Sequence, residues 1–229
     1  MQLILFDIDG TLVDSGGAGV RSLDQAFKET LSIENAFREI SMAGKTDLQI
    51  VKEGLSAHGL ASDNGLVPLI TDAYLRHLAR EIQSSNKHLK PGIIDALEAV
   101  KSREDRYQLG LLTGNMEQGA RIKLGVFGLN EYFPSGAFGS DHEDRNQLLP
   151  IAVERLKIIS GRHFDFTDCV VVGDTPLDVM CARPYNAVCI AVATGPYGAG
   201  SLVAAGADVV VEDLSDTEHF MNILHFLEK

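Results

Sequence analysis

Short, almost entirely apolar runs recur along the 229-residue chain, with longer stretches between them. These runs are Leu3–Phe6, Leu109–Leu112, Cys169–Val172, Val188–Val192 and Val209–Val211. Runs of this length without polar alternation are typical of strands buried on both faces, as in a parallel sheet. Apolar residues at helical spacing lie between the later runs, as in Ile151–Ile159. This alternation predicts an α/β fold, an open parallel (Rossmann-like) sheet with helices on both faces.

Residues 16–88 interrupt the alternation. Apolar residues recur there at helical spacing in three stretches, which begin at Val20, Leu48 and Val67, and we identify no strand among them. Sequences rich in Gly or Ser flank the block on both sides and are typical of linkers. The sequence therefore predicts two domains. Residues 1–15 and 89–229 form an α/β core, and residues 16–88 form an all-helical domain inserted after the first strand.

The composition narrows the range of partners and compartments. The chain has 20 Lys and Arg against 32 Asp and Glu, a formal charge of −12, which disfavours nucleic acid and anionic membranes as partners. No apolar run approaches the roughly 18 residues of a membrane-spanning helix. The three cysteines form no CxxC pair and are expected to be buried thiols. We therefore expect a cytoplasmic protein that binds neither nucleic acid nor membrane. Its oligomeric state is not predicted.

Polar residues follow three of the predicted strands at the point where each strand ends. They are Asp7, Asp9 and Gly10 after the first strand, Thr113, Gly114 and Asn115 after the second, and Asp174 and Asp178 after the third. Ligands of open α/β sheets bind at the carboxyl ends of the strands. We therefore expect these three groups to converge on one crevice.

Carboxylates crowded into one crevice repel one another unless some are protonated or a cation lies among them. Oxygen ligands without a nearby His or Cys favour a hard ion, Mg²⁺ before Zn²⁺. The four carboxyl residues of this predicted metal site are Asp7, Asp9, Asp174 and Asp178. Mg²⁺ completes its coordination with substrate phosphate, to which the Thr113 hydroxyl and the Gly114 amide are suitable donors.

These segments resemble the motifs of the haloacid dehalogenase superfamily, in its phosphatase branch. Asp7–Ser15 resembles the first motif, Leu111–Asn115 the second and Gly173–Asp178 the acidic fourth. The helical insert lies where subfamilies similar to phosphoglycolate phosphatase and β-phosphoglucomutase carry a helical cap. The resemblance spans nearly the whole chain.

The resemblance implies a mechanism and a role for each residue. Asp7 attacks phosphorus and forms an aspartyl-phosphate, and Asp9 acts first as general acid and then as general base. Mg²⁺ is held by Asp7, the Asp9 backbone carbonyl and Asp174, while Asp178 positions its waters or Arg145. The residues expected to bind the phosphate or the rest of the substrate are Gly10, Thr113, Gly114, Asn115 and Arg145.

The third motif departs from the family pattern, which usually offers a Lys before a Pro-rich turn. In Gly139–Gln147 only Arg145 is basic, so we assign it the role of a cation that pairs with Asp7 and the phosphoryl group. The alternative is a solvated surface arginine.

A loop of the cap in related enzymes reaches the crevice, and Ala43–Asp47 lies about where that loop falls. Lys45, with Thr46 beside it, is then a candidate to contact an anionic substrate group. The alternative is that Thr46 or Asp47 caps the next helix while Lys45 is solvated.

The sequence thus predicts a Mg²⁺-dependent phosphatase that acts on a small phosphorylated metabolite, similar to phosphoglycolate phosphatase. A phosphomutase similar to β-phosphoglucomutase shares every core residue named above and stays an alternative. A non-catalytic protein that binds a phosphorylated ligand is a second alternative. The sequence does not select among phosphoglycolate, sugar phosphates and nucleoside monophosphates.

Overall fold

A six-stranded parallel sheet forms the centre of the computed structural model, which describes residues 1–62 and 65–228. The described strands are β1 (Gln2–Phe6), β2 (Val13–Asp14), β3 (His88–Leu89), β4 (Tyr107–Leu112), β5 (Gly136–Ala137), β6 (Cys169–Gly173), β7 (Val188–Val192) and β8 (Val209–Val211). The order in the main sheet is β5-β4-β1-β6-β7-β8, with Leu5 between Gly110 of β4 and Val171 of β6. The chain therefore changes its direction of winding between β1 and β6.

Helices cover both faces of this sheet. The described helices are α1 (Ala18–Leu31), α2 (Asp47–Ala57), α3 (Leu66–Ser84), α4 (Ile93–Lys101), α5 (Glu117–Gly125), α6 (Leu148–Ser160), α7 (Pro176–Ala182), α8 (Ala199–Ala205) and α9 (Thr217–Leu227). Ile4 and Phe6 of β1 pack with α4, α5 and α9, whereas Leu3 and Leu5 pack on the opposite face with α6 and α7. Alternate side chains of one strand thus enter two separate cores, and the predicted α/β fold is confirmed.

The sequence pattern did not predict two features of the strands. Strand β5 adds an edge to the main sheet, and β2 pairs antiparallel with β3, so that Val13 lies opposite Leu89 and Asp14 opposite His88. Each of these strands has only two residues. A hydrophobic period cannot be read from so short a segment.

Helices α1, α2 and α3 enclose a third hydrophobic cluster. The rings of Phe27 and Phe37 meet edge to face at 4.7 Å, and Tyr74 and Leu78 of α3 are buried in the same cluster. The predicted domain boundaries, 15/16 and 88/89, fall at the β2–β3 pair. Residues 63, 64 and 229 of the predicted domains lie outside the described residues. The division into two domains stays a prediction.

Among the described residues, no helix combines the length and the hydropathy that a bilayer crossing requires.

Two aromatic rings pack against Phe6, the last residue of β1. The Phe6 ring lies edge to face with Phe133 at 6.0 Å and with Phe220 at 6.5 Å, and all three side chains are fully or almost fully buried. Because Phe6 immediately precedes Asp7, this packing fixes the strand end that carries the first carboxylate.

We expect Phe133→Ala to lower the free energy of unfolding by about 3–5 kcal/mol, since it removes a buried ring and leaves a cavity. Urea unfolding followed by circular dichroism measures the change. Phe226→Ala, at a ring that is 88% exposed, is the matched control and should change stability by less than about 0.5 kcal/mol. Equal losses in the two variants would contradict the packing described here.

Candidate active site

Two carboxylates stand at the point where the strand order reverses. Asp7 follows β1 and Asp174 follows β6, and both side chains are buried. The Asp7 amide donates to the Val172 carbonyl at 2.9 Å, and the Thr11 hydroxyl donates to Asp174 Oδ1 at 2.9 Å. Gly10 has a φ of +84°, and a Cβ there would overlap the Asp174 carboxylate. Glycine therefore permits the close approach of the two strand ends.

Asp178 completes this carboxylate cluster from the first turn of α7. One oxygen each of Asp7, Asp174 and Asp178 lie within 4.8 Å of one another. Thr175 caps α7, and its amide and hydroxyl donate to Asp178 Oδ2 at 3.0 and 2.8 Å. Arg145 Nη2 donates to the other oxygen of Asp178. Both Asp178 oxygens are thus engaged by the protein.

Arg145 connects the carboxylate cluster to the helical insert. Its side chain is 5% exposed, and Nη2 lies 3.4 Å from Asp7 Oδ1. Nη1 donates to the Gly44 carbonyl at 3.0 Å. The structure therefore places Arg145 beside Asp7, and not at the surface as the alternative interpretation has it.

Burial and mutual repulsion raise the pKa values of the cluster. Burial raises the pKa of Asp7 to about 6, against the lowering effect of Arg145 and with a further increase from Asp178. Burial, Asp178 and Asp7 raise the pKa of Asp174 to about 8. Near neutral pH such a cluster holds either protons or a cation. Its donors are all carboxylate oxygens, so the residues fit a hard divalent ion of the Mg²⁺ type.

A second polar group surrounds Asp9. Lys123 Nζ donates to Asp9 Oδ2 at 2.5 Å and to Asn115 Oδ1 at 2.7 Å. Asn115 Nδ2 donates to the same Asp9 oxygen and to the Thr113 hydroxyl, both at 2.9 Å. Asp9 Oδ2 therefore has two protein donors, while Asp9 Oδ1 has none among the described residues.

Lys123 is a residue that the sequence analysis missed. It lies on α5 with 4% of its surface exposed. Burial on its own lowers the pKa of Lys123, but Asp9 and Asp47 raise it, and the net shift is upward, so the side chain stays charged. A signal was present, because Lys123 falls in the buried helical stripe with Gly119, Ala120 and Leu124. A lysine in an apolar stripe indicates a buried partner of opposite charge.

The loop before α2 brings the helical insert against the second strand end. The Asp47 amide donates to the Gly114 carbonyl at 2.7 Å, and Asp47 Oδ2 accepts from the Met116 amide at 2.8 Å. Burial raises the pKa of Asp47 to about 6, and Lys123 opposes that rise. A Cβ at Gly114 would overlap the Lys45 carbonyl, so the two loops touch through their backbones.

Lys45 and Thr46 are both engaged by protein groups. The Thr46 hydroxyl accepts from the Gln49 amide at 3.1 Å and donates to the Glu143 carbonyl at 2.8 Å, so Thr46 caps α2. This is the capping alternative that the sequence left open. Lys45 is paired with Glu53, although its side chain lines the cavity described next.

A cavity of about 480 Å³ opens over these residues, between the sheet and the insert. The candidate site residues that line it are Asp7, Asp9, Gly10, Lys45, Gly114, Asn115, Arg145 and Asp174. Thr46, Thr113 and Asp178 lie behind the lining and support it through hydrogen bonds and ion pairs. The arrangement can present a carboxylate nucleophile, a second carboxylate and a guanidinium to one small ligand.

The sequence profile of the haloacid dehalogenase-like hydrolases matches residues 4–192. The chain belongs to this family. It is 28% identical over 228 residues to the phosphoglycolate phosphatase of Vibrio vulnificus, with 93% of this chain and 92% of that protein covered. It is 27% identical over 221 residues to the phosphoglycolate phosphatase of Synechococcus elongatus, with 94% and 95% covered. These findings confirm the prediction of a phosphatase of this superfamily.

Solved structures share the fold. A hydrolase from Pseudomonas syringae matches with a TM-score of 0.72 at 23% identity, covering 98% of this chain and 99% of that chain. CbbY from Rhodobacter sphaeroides, solved in complex with phosphate, matches with a TM-score of 0.72 at 18% identity, covering 94% and 96%. The fold is therefore shared over nearly the full length of the chain.

We expect the apparent affinity for Mg²⁺ to fall as the pH falls from about 8 to about 6, by about tenfold per pH unit. The folded-state pKa of Asp174 is raised to about 8, so below that pH a proton on Asp174 must leave before the ion binds. The pKa of Asp7 is raised to about 6, so a second competing proton is bound only below this pH range. Isothermal titration calorimetry measures the affinity, and a pH-independent value would contradict the cluster as the binding site.

We expect Lys123→Met to lower kcat by at least about tenfold with a smaller change in KM, because Asp9 loses the donor that orients it. Lys123→Arg should recover part of the loss, since a guanidinium can also donate to Asp9 Oδ2. Steady-state kinetics on an aryl phosphate measures both. Lys157→Met removes an exposed helical ion pair with Glu154 and is the matched control. Similar kinetics in the Lys123→Met and control proteins would count against a role for Lys123.

Proposed function

We propose that this protein hydrolyses small phosphate monoesters through an aspartyl-phosphate formed on Asp7, with Mg²⁺ as its cofactor. The observation that carries the proposal is the pairing of two carboxylates with different surroundings in one cavity. Asp7 is buried beside Arg145, whereas Asp9 is partly exposed and has one oxygen without a protein donor. Arg145 favours the ionised form of Asp7, which a nucleophile requires, whereas the Asp9 oxygen without a protein donor is free to exchange a proton.

Asp7 is the nucleophile in this proposal. Its ionised oxygen forms a bond to phosphorus while the bond from phosphorus to the leaving oxygen breaks. Arg145 compensates the negative charge of the phosphoryl oxygens, and the Gly114 amide is a further donor. Asp7, the Asp9 carbonyl and Asp174 would hold Mg²⁺, which when bound neutralises charge on the carboxylates and the phosphoryl group.

Asp9 handles the proton in both halves of the reaction. Its protonated carboxyl donates to the leaving oxygen, which departs as a neutral alcohol. The resulting carboxylate then accepts a proton from the water that attacks the phosphoenzyme, which releases phosphate and restores both aspartates. Lys123 and Asn115 both bind Oδ2, so Oδ1 is the oxygen available to exchange the proton.

The helical insert supports the assignment of a small substrate. It forms one wall of the cavity, and a cap of this kind limits access by macromolecules and water. We propose residues 16–88 as this cap, on a core formed by residues 1–15 and 89–229. The three cysteines are buried and unpaired, which supports a reducing compartment such as the cytoplasm.

We expect Asp7→Asn to lower the rate of hydrolysis of an aryl phosphate by about three orders of magnitude or more, because the amide is a poor nucleophile. The fold should persist by circular dichroism. Asp95→Asn, at an exposed position on α4, is the matched control. Acid-quenched samples of the wild-type protein should carry one phosphoryl group by mass spectrometry, and Asp7→Asn samples should carry none.

This experiment, together with an isomerisation assay, separates the alternatives. Full activity in Asp7→Asn would refute the aspartyl-phosphate mechanism. The absence of any phosphate release by the wild-type protein would favour the non-catalytic ligand-binding alternative. Formation of an isomer from a hexose phosphate in the presence of its bisphosphate, with little free phosphate, would favour the phosphomutase.

A further inference from the structure

The cations that line the cavity are already paired with carboxylates. The pairs are Lys45 with Glu53, Lys90 with Asp14 at 3.1 Å, Lys123 with Asp9 at 2.5 Å, and Arg145 with Asp178. Arg145 is also the cation next to Asp7 and is needed for the phosphoryl group. Among the described lining residues, no further cation is free to bind a second anionic group on a substrate.

The insert adds a carboxyl group to this lining. Asp47 is 7% exposed, its Oδ2 accepts from the Met116 amide, and its Oδ1 has no partner among the described residues. An anionic leaving group in this cavity would face both Asp47 and Asp9 without a free cation to offset them. The repulsion between like charges disfavours such a ligand.

A tyrosine of the insert lines the same cavity. Tyr74 of α3 is 1% exposed, it lines the cavity, and its hydroxyl has no hydrogen-bond partner among the described residues. It lies near enough to Asp47 and Asp9 that their charges, after burial itself, raise its pKa further above the usual value. A protonated phenol and a carboxyl group in the lining of one cavity are a suitable pair for a ligand hydroxyl, which can accept from one and donate to the other.

Apart from Lys45, which is paired with Glu53, the rest of the wall formed by the insert is apolar. The apolar residues that line the cavity here are Val20, Leu23, Met42 and Ile50. Val20, on α1, is 43% exposed. Apolar walls with a few placed polar groups are typical of pockets that bind the carbon skeleton of a small molecule. A two-carbon leaving group would leave much of the 480 Å³ unfilled.

We infer that the cavity selects phosphate esters of uncharged, hydroxyl-bearing alcohols of several carbons. Tyr74 and Asp47 bind a hydroxyl of the leaving group. The cavity disfavours esters whose leaving group carries a carboxylate or a second phosphate. This inference rests on the proposed phosphatase activity and names its substrate class. It also predicts that phosphoglycolate, the substrate in the names of the Vibrio vulnificus and Synechococcus elongatus relatives, is a poor substrate here.

Matched substrate pairs test the inference, since each pair differs only by CH₂OH against carboxylate. The pairs are glycerol phosphate against phosphoglycerate, glucitol phosphate against phosphogluconate, and hydroxyethyl phosphate against phosphoglycolate. We expect kcat/KM to be at least about tenfold higher for the uncharged member of each pair, and higher for glucitol than for hydroxyethyl phosphate. Equal or greater kcat/KM for the carboxylate members would overturn the inference.

Two variants test the contacts behind this preference, one at Tyr74 and one at the Lys45–Glu53 pair. Tyr74→Phe should lower the ratio of kcat/KM for glucitol phosphate to that for phenyl phosphate by about fivefold, because phenol offers the site no further hydroxyl. Tyr132→Phe, at a phenol outside the cavity that bonds Glu98, is the matched control. An unchanged ratio in Tyr74→Phe would overturn the role of Tyr74.

Glu53→Gln frees Lys45 for an anionic ligand. We expect it to raise kcat/KM for phosphogluconate relative to glucitol phosphate by about fivefold, whereas Glu81→Gln, which disrupts a cap ion pair with Arg21, should leave this ratio unchanged. No shift in Glu53→Gln would overturn the argument from paired cations. Failure to hydrolyse any substrate, phenyl phosphate included, would refute the proposed function itself, whereas hydrolysis without the preference would refute only this inference.

Discussion

Electrostatic repulsion among buried carboxylates is the constraint on which the site depends. Asp7, Asp174 and Asp178 share one permanent cation, Arg145, so the ionised cluster has an excess of two negative charges. One divalent ion neutralises that excess, and in its absence protons must do so. Burial and mutual repulsion accordingly raise the pKa values of Asp7 and Asp174. This excess of negative charge is thus built into the fold, and it suits the cluster to the divalent cation that we propose as its ligand.

The fold maintains this unfavourable cluster by fixing its backbone. Asp7 and Asp174 leave adjacent parallel strands, and the packing of Phe6 under β1 holds one of these strand ends. Glycines at positions 10 and 195 leave room for the Asp174 carboxylate, since a Cβ at either would overlap it. The repulsion is therefore opposed by the stability of the sheet and by close packing around it, as is expected where strain is kept at a functional site.

The sequence predicted the strand ends well because each depends on a local pattern. A buried run followed by Asp7 or Asp174 identifies a strand and its carboxyl end without knowledge of the remaining chain. Lys123 and Tyr74 lie instead on helices whose register depends on tertiary packing. Tyr74 fits the apolar period of α3 and gives no sign that its hydroxyl reaches a cavity. Thr46 shows a limit of local patterns as well. A helix cap and a substrate contact can have the same local sequence, and only the partner atoms distinguish them.

Asp47 and Arg145 together hold the start of α2 and the loop before it against Asp7 and the end of β4. Asp47 is bound through its amide to Gly114 and through its carboxylate to Met116, while Arg145 reaches from Asp7 to the Gly44 carbonyl. These contacts join Gly44 and Asp47 to the residues after β4 and to the guanidinium beside Asp7. A shift of the insert would therefore also disturb the guanidinium beside Asp7 and the backbone of the second strand end. Since catalysis of phosphoryl transfer is mainly positioning and charge stabilisation, the alcohol recognition and the phosphoryl activation that we propose depend on the same contacts.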